Sequence, residues 1–380
     1  MKDRFEIIIP TLFGLEALVS KDLYRLGYDA ERVENGRVTF LGDYDAVVRS
    51  NFWLRCGERV LIKAGEFKAE TADDLYDGTR SIEWERFIGK ESAFPVKGHT
   101  TRSVLASDRN SQIIIKKAVA DRLGGVYGLN RMPETGEEYQ IQFTIIDNVA
   151  TLMIDTTGAA LHKRGYRARS NLAPVRETIA AAMVMISYWK FEEPLWDPFC
   201  GSGTIPIEAA MFKRNMAPGL LRDFAFNRFP QIDKRMTEDI KEESCESVHR
   251  DVSLDINATD IDPAAIELTR MNAKNAGVEG FIKAAVCDAK NIRPDKPCGS
   301  IITNPPYGER LGSVSECRRL YKDIGRTFNK FDRWSFYILT SREEFEKDFA
   351  RRVDRMRKIY NGMLKCNLYQ YYGNKPKRKK

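Results

Sequence analysis

Thr303 is followed by Asn304-Pro305-Pro306-Tyr307, and this tetrapeptide carries the most specific chemical signal in the chain. An aromatic amine is a poor nucleophile because its lone pair is delocalised into the ring. The Asn304 side-chain oxygen and a carbonyl beside Pro305 are two acceptors for the amine's two hydrogens. Bound there, the nitrogen is favoured in a pyramidal form whose lone pair points at an electrophile. Pro305 and Pro306 hold the backbone rigidly, and Tyr307 offers an aromatic face to the molecule that carries the amine.

A second constellation lies upstream in "PLWDPFCGSGTIPIEAA". A strand ends at Asp197, Pro198 and Cys200 follow, and the turn Gly201-Ser202-Gly203 opens a helix that starts near Thr204 and bears Glu208. Missing side chains in such a turn let a ligand approach the backbone at a strand's C-terminal end. The third glycine of the dinucleotide fingerprint is absent and no G-K-[ST] follows, so NAD and P-loop readings both weaken. Two acids end later strands. Asp260, followed by Ile261, is placed to hydrogen-bond a ribose, and Asp288, followed by Ala289, suits an adenine amino group. Asp260 comes much later than the roughly 20 residues usual in dinucleotide folds. An insertion over 213–250 must therefore be accommodated.

The seven cysteines never form a C-x-x-C pair, and the three histidines never form H-x-x-x-H or H-E-x-x-H. Neither a disulfide framework nor a metal site is expected, and the chemistry needs no histidine base.

These residues need a scaffold. After Pro174 the rhythm is long helix, strand, helix, strand, which implies a parallel sheet with crossover helices. Strands are expected over 195–199, 256–260, 281–285, 300–304 and 334–339, with a terminal hairpin of 355–360 and 364–371 about Asn361-Gly362. The fold class is α/β, a Rossmann-like sheet ending in an antiparallel hairpin. The first 65 residues read β-α-β-β-α-β, a ferredoxin-like order, with Asn35-Gly36 as a hairpin turn. From 66 to 155 a second small α+β unit follows, with a helix over 110–123 and a hairpin turning at Asp147-Asn148.

At 380 residues, with 43% hydrophobic and 30% charged residues, the chain can bury substantial cores in two or three domains. No run approaches the roughly 18 apolar residues of a spanning helix, and Glu6, Pro10 and Glu16 interrupt the N-terminal apolar stretch, so a cytoplasmic protein is expected. The formal charge of +7 mildly favours a polyanionic partner. The segment "LHKRGYRARSNLAP" carries Lys163, Arg164, Tyr166, Arg167 and Arg169. It reads either as a solvated linker or as a phosphate-contacting, base-stacking strip. The tail with Lys375, Lys377, Arg378, Lys379 and Lys380 has the same two readings.

With these motifs assembled, nearly the whole chain resembles the THUMP-domain methyltransferases, specifically the bacterial large-subunit rRNA guanine-N2 methyltransferase family. "LHKRGYR", "APVRETIAAAMV", "DPFCGSGTIPIEAAM" and "TNPPYGERLG" are similar to that family's blocks, in family order. The resemblance implies a class I methyltransferase domain over 175–374, preceded by a ferredoxin-like domain (1–65), a THUMP domain (66–155) and a basic linker (156–174), and followed by a basic tail (375–380). It implies S-adenosylmethionine as cofactor. Asp197, Pro198, Cys200, Gly201, Gly203, Thr204 and Glu208 would line its site, with Asp260 and Ile261 at the ribose and Asp288 and Ala289 at the adenine. Asn304, Pro305, Pro306 and Tyr307 would act on the base. Structured RNA, as large-subunit rRNA or an assembly intermediate, is the implied partner; the second methyltransferase domain of some longer relatives is not seen. The rivals are a tRNA guanine-N2 methyltransferase, a DNA adenine-N6 methyltransferase and a non-catalytic ribosome-assembly factor.

Overall fold

A computed structural model describes residues 4–167, 175–307, 314–361 and 364–374. The described chain forms two units. The first takes the N-terminus to Pro10, Ser20–Leu161 and Asp223–Glu242; the second takes Thr11–Val19, His162–Arg222 and the chain from Glu243 onward.

The first unit contains one seven-stranded sheet of order β2-β3-β1-β4-β7-β6-β5. Its strands are β1 (Phe5–Pro10), β2 (Ala30–Glu34), β3 (Arg37–Gly42), β4 (Leu61–Lys68), β5 (Val96–Thr101), β6 (Ile141–Ile146) and β7 (Val149–Asp155). The ferredoxin-like strands do not close on themselves. β4 pairs along its length with β7, from Leu61↔Asp155 to Lys68↔Val149, so the two expected small modules share one sheet. Asp147 and Asn148 both have positive φ, 50° and 64°, the backbone that a two-residue hairpin turn requires. The helices α1 (Glu16–Arg25), α2 (Tyr44–Trp53), α3 (Ala72–Ser81) and α4 (Asp108–Tyr127) accompany these strands in sequence. Ser107 caps α4 by accepting from the Asn110 N–H, and Gly128 ends it in the left-handed region. The segment Asp223–Glu242 brings three aromatic rings into this unit. Phe224 lies 5.3 Å from Phe52 and 5.0 Å from Phe226, and Phe229 stacks on Tyr139 at 4.2 Å.

The second unit has a seven-stranded sheet of order β10-β9-β8-β11-β12-β14-β13. Its strands are β8 (Leu195–Asp197), β9 (Ile256–Asp260), β10 (Ile282–Val286), β11 (Cys298–Thr303), β12 (Arg333–Thr340), β13 (Arg355–Asn361) and β14 (Leu364–Tyr371). The first five are parallel; β14 runs antiparallel to β12, and β13 antiparallel to β14. Strand order reverses at β8, which puts the ligand crevice of such sheets at its C-terminal end. The helices are α5 (Glu177–Ser187), α6 (Thr204–Lys213), α8 (Pro263–Asn275), α9 (Val314–Phe328) and α10 (Phe345–Phe349), while α7 (Lys234–Glu246) begins in the first unit and ends in the second. All 11 residues of α5 are buried, as its apolar sequence demands. An aromatic core of Tyr321, Phe328, Phe336, Phe345, Phe349 and Tyr369 fills the space between α9, α10 and the sheet. Among the described residues no helix is long and apolar enough to cross a membrane.

Candidate active site

β8 ends at Asp197, which is 1% exposed. The Thr303 hydroxyl donates to Asp197 Oδ1 at 2.6 Å, and the Phe199 N–H donates to the same oxygen at 3.2 Å. Burial pushes the Asp197 carboxyl up to about 7, against these two hydrogen bonds, which lower it.

The glycine turn then reverses the chain. Gly203 N–H donates to the Cys200 carbonyl at 2.8 Å, and Cys200 N–H donates to the Thr259 carbonyl at 3.0 Å. The two glycines serve different needs. Gly203 has φ +82°, and a Cβ there would fall 2.9 Å from Thr269 Cγ2, so it lets α6 start close against α8. Gly201, at φ +54°, has nothing within 4 Å of its missing Cβ, so its backbone faces open space. The Gly201 N–H donates to Asp260 Oδ2 at 3.0 Å, and the Asp262 N–H donates to Asp260 Oδ1 at 3.0 Å. Asp260 thereby fixes the turn beside the end of β9. Asp288 is held likewise, by the Lys290 N–H at 3.0 Å and the Lys290 ammonium at 3.1 Å.

These groups surround a cavity of about 500 Å³. Its wall includes Asp197, Pro198, Cys200, Gly201, Thr204, Asp260, Ile261, Asp288, Ala289, Asn304 and Pro306, all anticipated from the sequence. It also includes Val175, Phe199, Ser202, Ile205, Asp262, Lys290 and Leu320, which were not. Four carboxylates against Lys290 favour a ligand bearing positive charge. Among the described residues no group of side chains is arranged to hold a metal ion.

Asn304 stands at the end of β11, on the cavity wall. Its Oδ1 is buried and accepts no hydrogen bond from any described residue. Leaving such an acceptor dry costs about 1–3 kcal/mol, which a donor from water or from a ligand in the cavity would relieve. The Pro306 carbonyl is already engaged by the Tyr321 hydroxyl at 3.0 Å, which also bonds Thr340 Oγ1 at 3.0 Å. That pair of bonds anchors the proline loop to α9 and β12.

Several expected site residues lie elsewhere. Gly203, Glu208, Pro305 and Tyr307 do not line the cavity. Tyr307 is 6% exposed with its hydroxyl 3.9 Å from the Cys366 sulfur, so the open stacking face expected of it is not present. Glu208 is fully buried, and its Oε1 lies 3.4 Å from Arg164 Nε and 3.2 Å from the Tyr166 hydroxyl. Arg164 and Tyr166 are themselves 1% exposed, so they cannot reach an RNA phosphate or base. A carboxylate on an apolar helix has to be neutralised where it is buried, and the basic segment supplies the cation. The lone acid in "TIPIEAAMF" was the available signal for this network.

Arg167 is only partly exposed, and it too works inward. Its Nη2 donates to Thr204 Oγ1 at 2.7 Å and to the Val175 carbonyl at 3.3 Å, and lies 3.2 Å from Glu177. Thr204 and Val175 both line the cavity. Among the described residues of the basic segment, Lys163 alone of the anticipated contacts is well exposed. Arg169 and the terminal run from Lys375 to Lys380 lie outside the described residues.

Residues 164–370 match a family model described as the RMKL-like methyltransferase domain. Residues 6–61 match the RlmL ferredoxin-like domain, and residues 69–155 the THUMP domain. The chain is 39% identical over 380 residues to YpsC of Bacillus subtilis (strain 168), named as a candidate RNA methyltransferase, covering 99% of this chain and 98% of that one. It is 32% identical over 374 residues to the ribosomal RNA large subunit methyltransferase K/L of Shewanella baltica (strain OS155 / ATCC BAA-1091). That match covers 96% of this chain but 53% of the relative, so the chain spans about half of that protein's length. A crystal structure of a candidate methyltransferase complexed with SAH superposes with a TM-score of 0.93 at 40% identity, covering 99% of this chain and 100% of that one.

Proposed function

Because the chain belongs to the RMKL-like methyltransferase family, we propose that it methylates RNA from S-adenosylmethionine, at the exocyclic N2 amine of a guanine in large-subunit ribosomal RNA. The observation that carries this reading is the buried, unpartnered Asn304 Oδ1 on the wall of the acid-lined cavity. The THUMP match over residues 69–155 and the large-subunit rRNA relative support RNA as the substrate class. The SAH held by the 40%-identical structure supports the cofactor. The same reading places the activity in the cytoplasm, on free rRNA or an assembly intermediate.

S-adenosylmethionine, when bound, supplies an electrophilic methyl group on a positively charged sulfur. The residues here fit such a molecule. Gly201 leaves its backbone open, Asp260 and Asp288 present carboxylates at the ends of β9 and β10, and Ile261 is 68% exposed on the cavity wall as an apolar surface for a ring. The four carboxylates complement the positive charge. Asn304 Oδ1 accepts a hydrogen bond from the guanine amine and so favours the pyramidal nitrogen. Its position is held by Thr303, bonded to Asp197, and by the Tyr321–Pro306 bond on the other side. An amine that spends its lone pair on a new bond becomes strongly acidic and gives its proton to solvent, so Asn304 serves as acceptor and not as base.

The test is mass mapping of methylated nucleotides in rRNA and tRNA from cells with and without the gene. A single N2-methylguanine should vanish from large-subunit rRNA and return with the wild-type chain but not with Asn304→Ala. A mark lost from tRNA, or N6-methyladenine lost from DNA, would assign a different substrate. Retention of every mark would leave only a binding role.

A further inference from the structure

The edge strand β13 carries a surface that the cavity does not use. Side chains alternate along it, and Met356, Lys358 and Tyr360 share one face. Met356 is 47% exposed and Lys358 is exposed, with no carboxylate partner among the described residues. The segment Thr11–Val19, part of the same unit, meets this strand through Phe13 and Gly14. A Cβ on Gly14, at φ +89°, would fall 2.9 Å from the Lys358 carbonyl oxygen. The Gly14 N–H donates to Glu16 Oε2 at 2.9 Å, which fixes the loop. Phe13 is thereby presented to solvent at 45% exposure, with its ring 6.3 Å from that of Tyr360, edge to face.

The sheet register relates this edge to the proline loop through the buried residues Asn367 and Thr340. Lys358 pairs with Asn367 on β14, and Asn367 with Thr340 on β12, so the three side chains form a row on one face. Strand spacing puts Lys358 about 10 Å from Thr340. Thr340 is bonded to the Tyr321 hydroxyl, which holds the Pro306 carbonyl.

An unpaired, exposed lysine on the same strand face as a half-buried Tyr360, whose ring packs against an exposed Phe13, matches one kind of polymer: a single-stranded nucleic acid, whose phosphates meet the cation and whose bases stack on the ring. We propose that Phe13, Lys358 and Tyr360 dock the single-stranded RNA that flanks the target nucleotide. This rests on the reading of the chain as an RNA methyltransferase. It assigns RNA contact to the loop between β1 and α1 together with the sheet edge.

The test uses the full chain, with a fluorescein-labelled U12 ribo-oligonucleotide and an unmodified transcript of large-subunit rRNA as probes. Phe13→Ala should weaken U12 binding about fivefold or more, and Phe13→Trp should retain it. Lys358→Ala should lower the slope of log affinity against log salt by about 0.7. S-adenosylmethionine affinity, measured by calorimetry, should be unchanged in all three, which also establishes that they fold; should a Phe13 variant fail to fold, the Lys358→Ala slope decides alone. A wild-type chain that binds the transcript but not U12, or variants that match it on U12 in affinity and salt slope, would overturn the surface while leaving the RNA reading intact. A wild-type chain that binds neither RNA would overturn both.

Discussion

The Thr303 hydroxyl donates to Asp197 Oδ1 at 2.6 Å, tying the end of β11 to the end of β8. One bond thus couples the strand that delivers Asn304 to the strand that delivers the glycine turn. It also acts on a carboxyl that burial pushes up to about 7.

A raised acid pKa means that the folded chain holds the proton more tightly than the unfolded one, whose aspartates titrate near 3.9. The Asp197 contribution therefore favours folding below about pH 4 and is lost as pH rises towards 7. Compared with Asp197→Asn, the ligand-free wild type should lose stability on the order of a few kcal/mol between pH 4 and 7; urea titrations at several pH values measure this. A cationic ligand favours the ionised form. S-adenosylmethionine affinity should accordingly rise between pH 6 and 8 in the wild type and stay flat in the variant. A flat wild-type profile would refute the coupling.

Asn304 separates catalysis from binding. Its oxygen gains most when the amine becomes pyramidal, which is an interaction of the transition state. Asn304→Ala should lower single-turnover methylation by about 100-fold or more, with cofactor and RNA affinities within a few-fold of wild type. Full activity would make the loop only a rigid turn.

Gly201 and Gly203 should respond differently to alanine. At Gly203 the new methyl meets Thr269 within 2.9 Å and the backbone is left-handed, so Gly203→Ala should destabilise the chain by about 1–3 kcal/mol. Gly201 also has a positive φ of +54° and lines the cavity, but a methyl there would meet nothing within 4 Å. Gly201→Ala should cost cofactor affinity, on the order of tenfold, with a smaller change in melting temperature. Thermal melts and calorimetry on both variants distinguish the two roles.

The buried Arg164–Glu208 pair is a stability element. Arg164→Ala leaves Glu208 without its cation and should cost about 3–5 kcal/mol. Adding Glu208→Leu to Arg164→Met should recover much of that loss, because an apolar pair of similar volume replaces the charges. A double variant as unstable as Arg164→Ala would show that the pair does more than satisfy itself.

What the sequence made legible here was local. The glycine turn, the acids that end β9 and β10, and Asn304 each announce themselves within a few residues of a strand end, where the sheet fixes their position. Arg164 and Tyr166 misled because a basic, aromatic segment has the same pattern whether solvated or buried. Their partner Glu208 is 44 residues away from Arg164, and only tertiary contact pairs them. β5 was hidden for another reason: Val96–Thr101, with Gly98 and His99 inside it, is poor in apolar residues and is made a strand by parallel pairing with β6. The insertion over 213–250 was foreseen, but its destination was not. Phe224, Phe226 and Phe229 were the sign that it would enter a core.

That destination sets an order of events during synthesis. Residues up to Leu161 contain every strand of the first sheet, yet Phe52 and Tyr139 wait for rings that the translating ribosome supplies only some 60 residues later. Until Asp223–Glu242 emerges, the nascent first unit carries an uncovered aromatic patch, the sort of surface that chaperones hold and that aggregates when released early. Fragments cut at the end of β7 inherit the same defect permanently. Their insolubility would report a missing piece of core, and says nothing against the autonomy of the fold once residues 223–242 are supplied in trans.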